Sequence, residues 1–293
     1  MTRTILSKIM LIFILFAVCY TANAQHVVEP KDAPAEWTKP YKPFRIAGNL
    51  YYVGTYDLAC YLITGSQGNI LINTGVASSA KQIRSNIEAL GFKFSDTKIL
   101  LTTQVHHDHV GAMAAIKKMT GAKMMVDEKD AYNLETGGLH DYYFHAKDPV
   151  FKSIRPDRLL RNNDTITLGD VKLVMLHHPG HTPGSCSYLL DTKDNNKSYR
   201  VLIANMPSII IDKKFSEVAE YPGMAGDYAY TLGVMKDLKF DLWVASHASQ
   251  FDLHSKRKEG DGYNPAAFID PTGYAEKLAG FRTTFDKKMA EEQ

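Results

Sequence analysis

The chain lacks the residues that would make it a disulfide scaffold: three of its 293 residues are cysteine. That scarcity also excludes a zinc module built on cysteine. An excess of one charge is missing too. Lysine and arginine number 34 against 32 acids, and two of the basic residues, Arg3 and Lys8, fall within the first 24 positions. Residues 25–293 therefore carry 32 charges of each sign. A neutral chain offers no whole-molecule attraction for nucleic acid or an anionic membrane, and neither is expected as a partner. Long apolar runs are absent as well. The N-terminal stretch Ile9–Cys19 is eleven residues long, whereas a spanning helix needs about 20. What remains is ordinary globular composition, 45% hydrophobic and 23% charged, which excludes wholesale disorder and collagen-like repeats.

Arg3 and Lys8, the apolar run and the small residues Ala22-Asn23-Ala24 read as a secretory signal over residues 1–24, cleaved before Gln25. The expected location is therefore periplasmic or secreted, with no membrane attachment after cleavage. Two cysteines then remain, Cys60 and Cys186. An exported protein can pair them, and two buried free thiols fit equally well.

Residues 25–43 hold Pro30, Pro34, Pro40 and Pro43, a density that suggests an extended arm lying on the domain. Beyond it come short strand-like runs such as Tyr51-Tyr52-Val53, Cys60-Tyr61-Leu62-Ile63 and Asn69-Ile70-Leu71-Ile72. A helical pattern follows over 77–90, closed by Gly91. The buried strand Lys98-Ile99-Leu100-Leu101-Thr102-Thr103 precedes a helix over 110–119 and the strand Lys123-Met124-Met125-Val126. Residues 137–157 are irregular and aromatic. More strands occupy 165–176, 187–190 and 199–203, a helix 227–238, a strand 241–245 and a last amphipathic helix 274–289. No linker divides this series. An α/β chain of two mixed sheets packed face to face, with helices outside and residues 25–293 as one domain, is the expected architecture.

Eleven histidines are the informative excess. Gln104-Val105-His106-His107-Asp108-His109 follows the buried strand directly, and His181 and His247 each stand just beyond a later strand. Strands of one sheet end at one rim, so such junctions can converge. Residues two apart in an extended segment face the same way, so Gln104 and His106 can meet one ion, and Asp108 and His109, in the turn beyond, a second. Imidazole and carboxylate suit zinc, and three protein ligands leave a position open for water. His107 is expected to turn away between ligands. His26, His140, His145 and His254 are expected at the surface, and His177 and His178 near the site or in the core.

On Gln104-x-His106-x-Asp108-His109, Gly180-His181-Thr182-Pro183-Gly184-Ser185 and the late His247, the chain resembles the metallo-β-lactamase superfamily over nearly all of residues 25–293. It is most similar to subclass B3, and within it to the GOB-type enzymes, which also place glutamine first. The resemblance implies the four-layer αβ/βα sandwich and zinc as cofactor, one ion or two. It implies hydrolysis of the β-lactam amide of penicillins, cephalosporins and carbapenems by a metal-bound hydroxide, without an acyl-enzyme, and so antibiotic resistance. Carried over, Gln104, His106 and His181 hold the first zinc, and Asp108, His109 and His247 the second. Asp108 is also the catalytic residue that orients the hydroxide. Ser208 matches a serine that receives the substrate carboxylate; a strand-end cap is its plainer role. A monomer is expected.

Two departures bear on this. Gln104 replaces a histidine found in most relatives, and a neutral amide oxygen is the weaker donor, so a weaker first site is expected. Lactonases and glyoxalase-like hydrolases of the superfamily place a bridging aspartate after the strand at 201–204. Here the stretch is Asn205-Met206-Pro207-Ser208, and a thioether is no substitute for that carboxylate. The same slot usually holds serine in subclass B3. The missing acid and the export signal favour a lactamase over another zinc hydrolase of the same fold acting on a lactone or thioester, and the full set of water-positioning ligands, Asp108 included, favours it over an inactive metal-binding exported protein. Asn73 stands where aspartate is common. Tyr142, Tyr143 and Phe144 either pack on a bicyclic lactam or cover the core.

Overall fold

A computed structural model describes residues 25–292; the signal segment assigned to residues 1–24 lies outside them. Two sheets form the interior. The first has seven strands in sequential order: β1 (Phe44–Ala47), β2 (Leu50–Tyr52), β3 (Tyr61–Gly65), β4 (Gly68–Ile72), β5 (Thr97–Leu101), β6 (Lys123–Asp127) and β7 (Arg158–Leu160). Its first three pairings are antiparallel and the last three parallel. The second sheet contains β8 (Thr165–Leu168), β9 (Val171–His177), β10 (Cys186–Asp194), β11 (Lys197–Ala204) and β12 (Leu242–Ala245), in the order β12-β11-β10-β9-β8. Only β11 and β12 are parallel there.

The two sheets face each other across an apolar layer that includes Tyr61, Ile72, Met175, Tyr188, Ile203 and Trp243, each fully or almost fully buried. A second layer backs the first sheet, where Ile83 and Ile87 of α1 (Ala80–Ala89) and Met113 and Ile116 of α3 (Met113–Thr120) cover Leu62, Leu71 and Leu100. Helix α5 (Met224–Lys236) and the terminal helix α6 (Pro271–Glu291) cover the second sheet and pack on each other. The four layers are those of the expected αβ/βα sandwich.

Local chemistry explains where the helices break. The run after β5 is two helices rather than one: α2 (His107–Val110) is a single turn, separated from α3 by Gly111. Gly111 N–H donates to Gly75 O at 2.9 Å, and a Cβ there would stand 2.5 Å from Ala77 N. Backbone packing therefore demands glycine and turns the chain. Between β6 and β7 lie α4 (Ala131–Thr136) and an irregular stretch, as the aromatic composition of 137–157 suggested.

Strands β9, β11 and β12 run in the same direction, so their C-terminal ends emerge on one edge. The end of β5 joins that edge through Cys186 N–H donating to Thr103 O at 2.8 Å and Tyr188 OH donating to Thr102 O at 2.8 Å. This convergence of strand ends positions the site.

Candidate metal centre

Three segments meet at that edge. Beyond β5, Thr102 Oγ1 donates to Gln104 O at 2.6 Å, and Asn73 Oδ1 accepts from Thr103 N–H at 2.9 Å. Asn73 adopts a left-handed φ of 61°, which asparagine tolerates better than most residues. Its contacts go to Thr102, Thr103 and Ala59 rather than to any of the proposed ligands. The segment so held presents Gln104 and His106, and the turn of α2 presents Asp108 and His109. His181 arrives from the loop after β9 and His247 from the end of β12.

All six side chains come together, in two groups. In the first, His106 Nδ1 and His181 Nε2 are 3.2 Å apart, and Gln104 lines the same cavity. In the second, Asp108 Oδ2 lies 3.2 Å from His109 Nε2 and 3.3 Å from His247 Nε2. These spacings suit one tetrahedral zinc per group: with Zn–N of about 2.0–2.1 Å, neighbouring donor atoms stand roughly 3.3 Å apart.

The proton inventory makes the fit specific. His181 Nδ1 donates to Ser208 O at 2.7 Å, so its Nε2 carries a lone pair. His106 Nε2 lies 3.0 Å from Asp141 Oδ2, off the line of a full hydrogen bond, and that carboxylate favours a proton on this face of the ring against the cost of burial. His106 Nδ1 and the bare His181 Nε2 thus stand 3.2 Å apart, a spacing that one proton or one metal ion can bridge. His247 Nδ1 lies 3.0 Å from Asp57 Oδ2 and its Nε2 3.3 Å from Asp108 Oδ2, so a carboxylate faces each ring nitrogen, and His109 Nε2 is buried without a hydrogen-bond partner. Each arrangement calls for positive charge between its donors, a proton or a metal ion.

Without a metal ion, protons meet part of that demand. Burial disfavours protonated His247, but Asp108 and Asp57 outweigh it and raise its pKa to about 9. Burial would raise the Asp57 carboxyl, yet its bond to His247 holds it down at about 2. His181 is pushed down to about 3 by burial and by the neighbouring His106. Burial opposes ionisation of Asp108, and its contacts with His109 and His247 still hold its carboxyl well below the usual range.

The donors open into a cavity of about 360 Å³ whose walls include Trp37, Tyr143, Phe144, Met206 and Ser208. Trp37 belongs to the proline-rich arm, which is fastened to the domain by Gln25 on Ser153, Val28 N–H on Pro149 O, and Glu29 on Ala77 N–H. The aromatic trio splits. Tyr143 and Phe144 line the cavity, whereas Tyr142 is core, donating to His181 O at 2.7 Å. His107 does not turn away as expected: its ring lies between Trp37 and Phe144, at centroid distances of 5.8 and 5.2 Å, and lines the cavity. His254 is half-buried, stacking on Tyr56 with centroids 3.8 Å apart. Cys60 and Cys186 are both buried free thiols. Asp57, Asp130, Asn133 and Asp141 all brace the site, and none stood out in the sequence.

The metallo-beta-lactamase superfamily model matches residues 54–194. Among solved structures, the chain is 65% identical to the class B3 di-zinc metallo-β-lactamase LRA-12 from an Alaskan soil metagenome, covering 89% of this chain and 99% of that one with a TM-score of 0.88. The chain belongs to the class B3 metallo-β-lactamases. It is also 57% identical to the metallo-β-lactamase GOB-18 from Elizabethkingia meningoseptica, covering 92% of this chain and 99% of that one with a TM-score of 0.90. More distant is the uncharacterized protein YobT of Bacillus subtilis, 28% identical over 151 residues, or 49% of this chain and 61% of that protein. The chain spans less than two thirds of the length of the first curated relatives it matches. Class B3 membership agrees with the resemblance that the histidine motifs carry.

Proposed function

We propose that this metallo-β-lactamase hydrolyses the amide of β-lactam antibiotics and thereby confers resistance, with Gln104, His106 and His181 holding one zinc and Asp108, His109 and His247 a second. The observation that carries the reading is the pair of facing imidazole nitrogens of His106 and His181, 3.2 Å apart, beside a second group with tetrahedral spacing. When bound, zinc supplies a Lewis acid for a carbonyl oxygen and lowers the pKa of a coordinated water to about 7.

The chain's own groups supply orientation. Asp108 spends Oδ2 on His109 and His247 and keeps Oδ1 to accept a hydrogen bond from the water that adds to the lactam carbonyl. The ring C–N bond then breaks, and the nitrogen takes a proton to give the ring-opened amino acid. Ser208, on the cavity wall, is the proposed contact for the substrate carboxylate. Its backbone oxygen accepts from both His181 Nδ1 and Tyr228 OH, at 2.7 and 2.9 Å, so the residue also steadies a ligand. Trp37, Tyr143 and Phe144 give the apolar body of a bicyclic lactam something to lie against.

No carboxylate occupies Asn205–Ser208, and Met206 is buried there at the cavity wall. This argues against a lactone or thioester hydrolase that relies on a bridging acid. We further propose that residues 1–24 direct export to the periplasm, that residues 25–293 act as one domain, and that the enzyme is a monomer. Among the described residues no helix is long and apolar enough to cross a membrane.

The test is ring opening of a penicillin, a cephalosporin and a carbapenem by the zinc-loaded protein, alongside a lactone. Chelator-sensitive turnover of the β-lactams supports the reading. Turnover of the lactone alone would replace it with the second hydrolase class.

A further inference from the structure

The two donor groups differ in charge. Asp108 brings an anion to the second, whereas Gln104, His106 and His181 are all neutral. A dication in the first group therefore depends on how strongly its imidazoles donate, and one carboxylate touches that group from behind. Asp141 Oδ2 lies 3.0 Å from His106 Nε2, close enough to attract a ring proton though off the line of a full hydrogen bond, with the two side chains 2% and 4% exposed. Such a buried carboxylate is costly unless its oxygens are satisfied. Oδ1 accepts from Tyr143 N–H at 2.8 Å and Phe144 N–H at 3.2 Å, and Oδ2 from Asn133 Nδ2 at 3.2 Å.

Asn133 links this carboxylate to the ligand segment itself. The same Nδ2 donates to Val105 O at 3.2 Å, and Asp130 Oδ2 accepts from Val105 N–H at 3.0 Å. The peptide groups flanking Val105, between Gln104 and His106, are thus gripped on both sides by residues one turn apart around the start of α4. Asp130 also accepts from Thr182 Oγ1 and Gly184 N–H, each at 2.7 Å, which fixes the His181 loop to the same anchor.

We propose that Asp141 is a positioning residue for the first metal site, fixing His106 as its Nε2–H tautomer so that Nδ1 faces Gln104 and His181, and that Asn133 holds Asp141 in register with that ligand segment. The inference rests on the first group being a zinc site. Carboxylate behind imidazole raises the donor strength of the ring and fixes its orientation, and loss of such a partner lowers metal affinity by about 10–100-fold. With a neutral amide in place of a third imidazole, the first site has little else to draw on.

The test is competition between the full-length mature protein and a chromophoric chelator for zinc. The variants are Asp141→Asn, which keeps a side-chain oxygen for the Tyr143 and Phe144 amides, and Asn133→Ala. Gln104→Ala marks which zinc equivalent belongs to the first site. Asp141→Asn should weaken that equivalent by about 10–100-fold and leave the other unchanged, and Asn133→Ala should weaken the same equivalent by less. Nitrogen-edited NMR of the zinc-loaded protein adds a readout that a merely structural role would not move: the His106 Nε2–H resonance should shift upfield in Asp141→Asn. Should Asp141→Asn fail to fold, Asn133→Ala carries the test alone, and an unchanged first equivalent overturns the inference. Equal affinities in a folded Asp141→Asn overturn it too. Wild-type protein that takes up no zinc at the Gln104-dependent site would instead remove the reading on which it rests.

Discussion

His106 Nδ1 and His181 Nε2 face each other at 3.2 Å, with Asp141 Oδ2 behind the first ring and Ser208 O behind the second. Both nitrogens can serve one cation, so a metal ion bound there stabilises the fold as well as serving the chemistry. Stripping zinc with a chelator should lower the melting temperature, and re-addition should restore it. A site filled at 100 times its Kd contributes about 2.7 kcal/mol. Identical melting curves with and without zinc would contradict the assignment of this group.

The ligands should not contribute equally to turnover. Asp108 lies within charge-assisted bonding distance of His109 and His247 and keeps an oxygen toward the cavity, whereas Gln104 brings a neutral amide. Asp108→Ala should reduce kcat by about 10²–10³-fold, the scale for removing one preorganised electrostatic group, and Gln104→Ala by less. Gln104→His should tighten the first zinc site. Steady-state rates in the reverse order, or equal zinc affinities for wild type and Gln104→His, would count against these roles.

Acid should destabilise the zinc-free protein in part through His178. Burial pushes this imidazole down to about 3, and its Nδ1 shares a 2.7 Å hydrogen bond with Ser187 Oγ. In the unfolded chain a histidine titrates near about 6.5. Below that pH the unfolded state takes up a proton that the folded state refuses, so the contribution is complete above pH about 6.5 and lost as pH falls toward about 3. Relative to wild type, His178→Asn should flatten the decline in unfolding free energy by at most about 1.4 kcal/mol per pH unit in that window. Urea melts at pH 7 and 5 measure it, and parallel declines for the two proteins would rule it out.

Gly180 tests the packing that carries His181. Its φ is +133°, and a Cβ would stand 2.8 Å from Cδ1 of Tyr228, whose hydroxyl donates to the Ser208 carbonyl that also accepts from His181 Nδ1. Gly180→Ala should cost about 1–3 kcal/mol of stability, the range for overpacking, and weaken the first zinc site. Unchanged urea midpoint and zinc affinity would show that the Tyr228 ring yields freely.

The clustering of the six proposed ligands was legible because each sits in a residue pattern with a physical meaning: an extended segment with period two, a turn after a buried strand, and isolated histidines just past strand ends. The alternation of strands and helices likewise foretold two packed sheets. Asp57 and Asp141 were not legible. They reach His247 and His106 through tertiary contact from loops whose sequence carries no period, and a lone aspartate in a loop looks like any solvated acid. The orientation of His107 was misread for a related reason. Alternation within the motif turns the ring away from Gln104 and His106, but Trp37, from the proline-rich arm, and Phe144 close around it and make it part of the cavity wall. The break in the helix after His109 depended on Gly75 and Ala77 packing against Gly111, contacts that no local pattern reports.

The most direct measurement is β-lactam ring opening followed by absorbance, on protein stripped by chelator and then titrated with zinc. Negligible turnover in the stripped protein, regained as zinc occupies the two donor groups, is the expected result. Full turnover by protein free of metal would contradict a zinc-dependent centre built from Gln104, His106, Asp108, His109, His181 and His247.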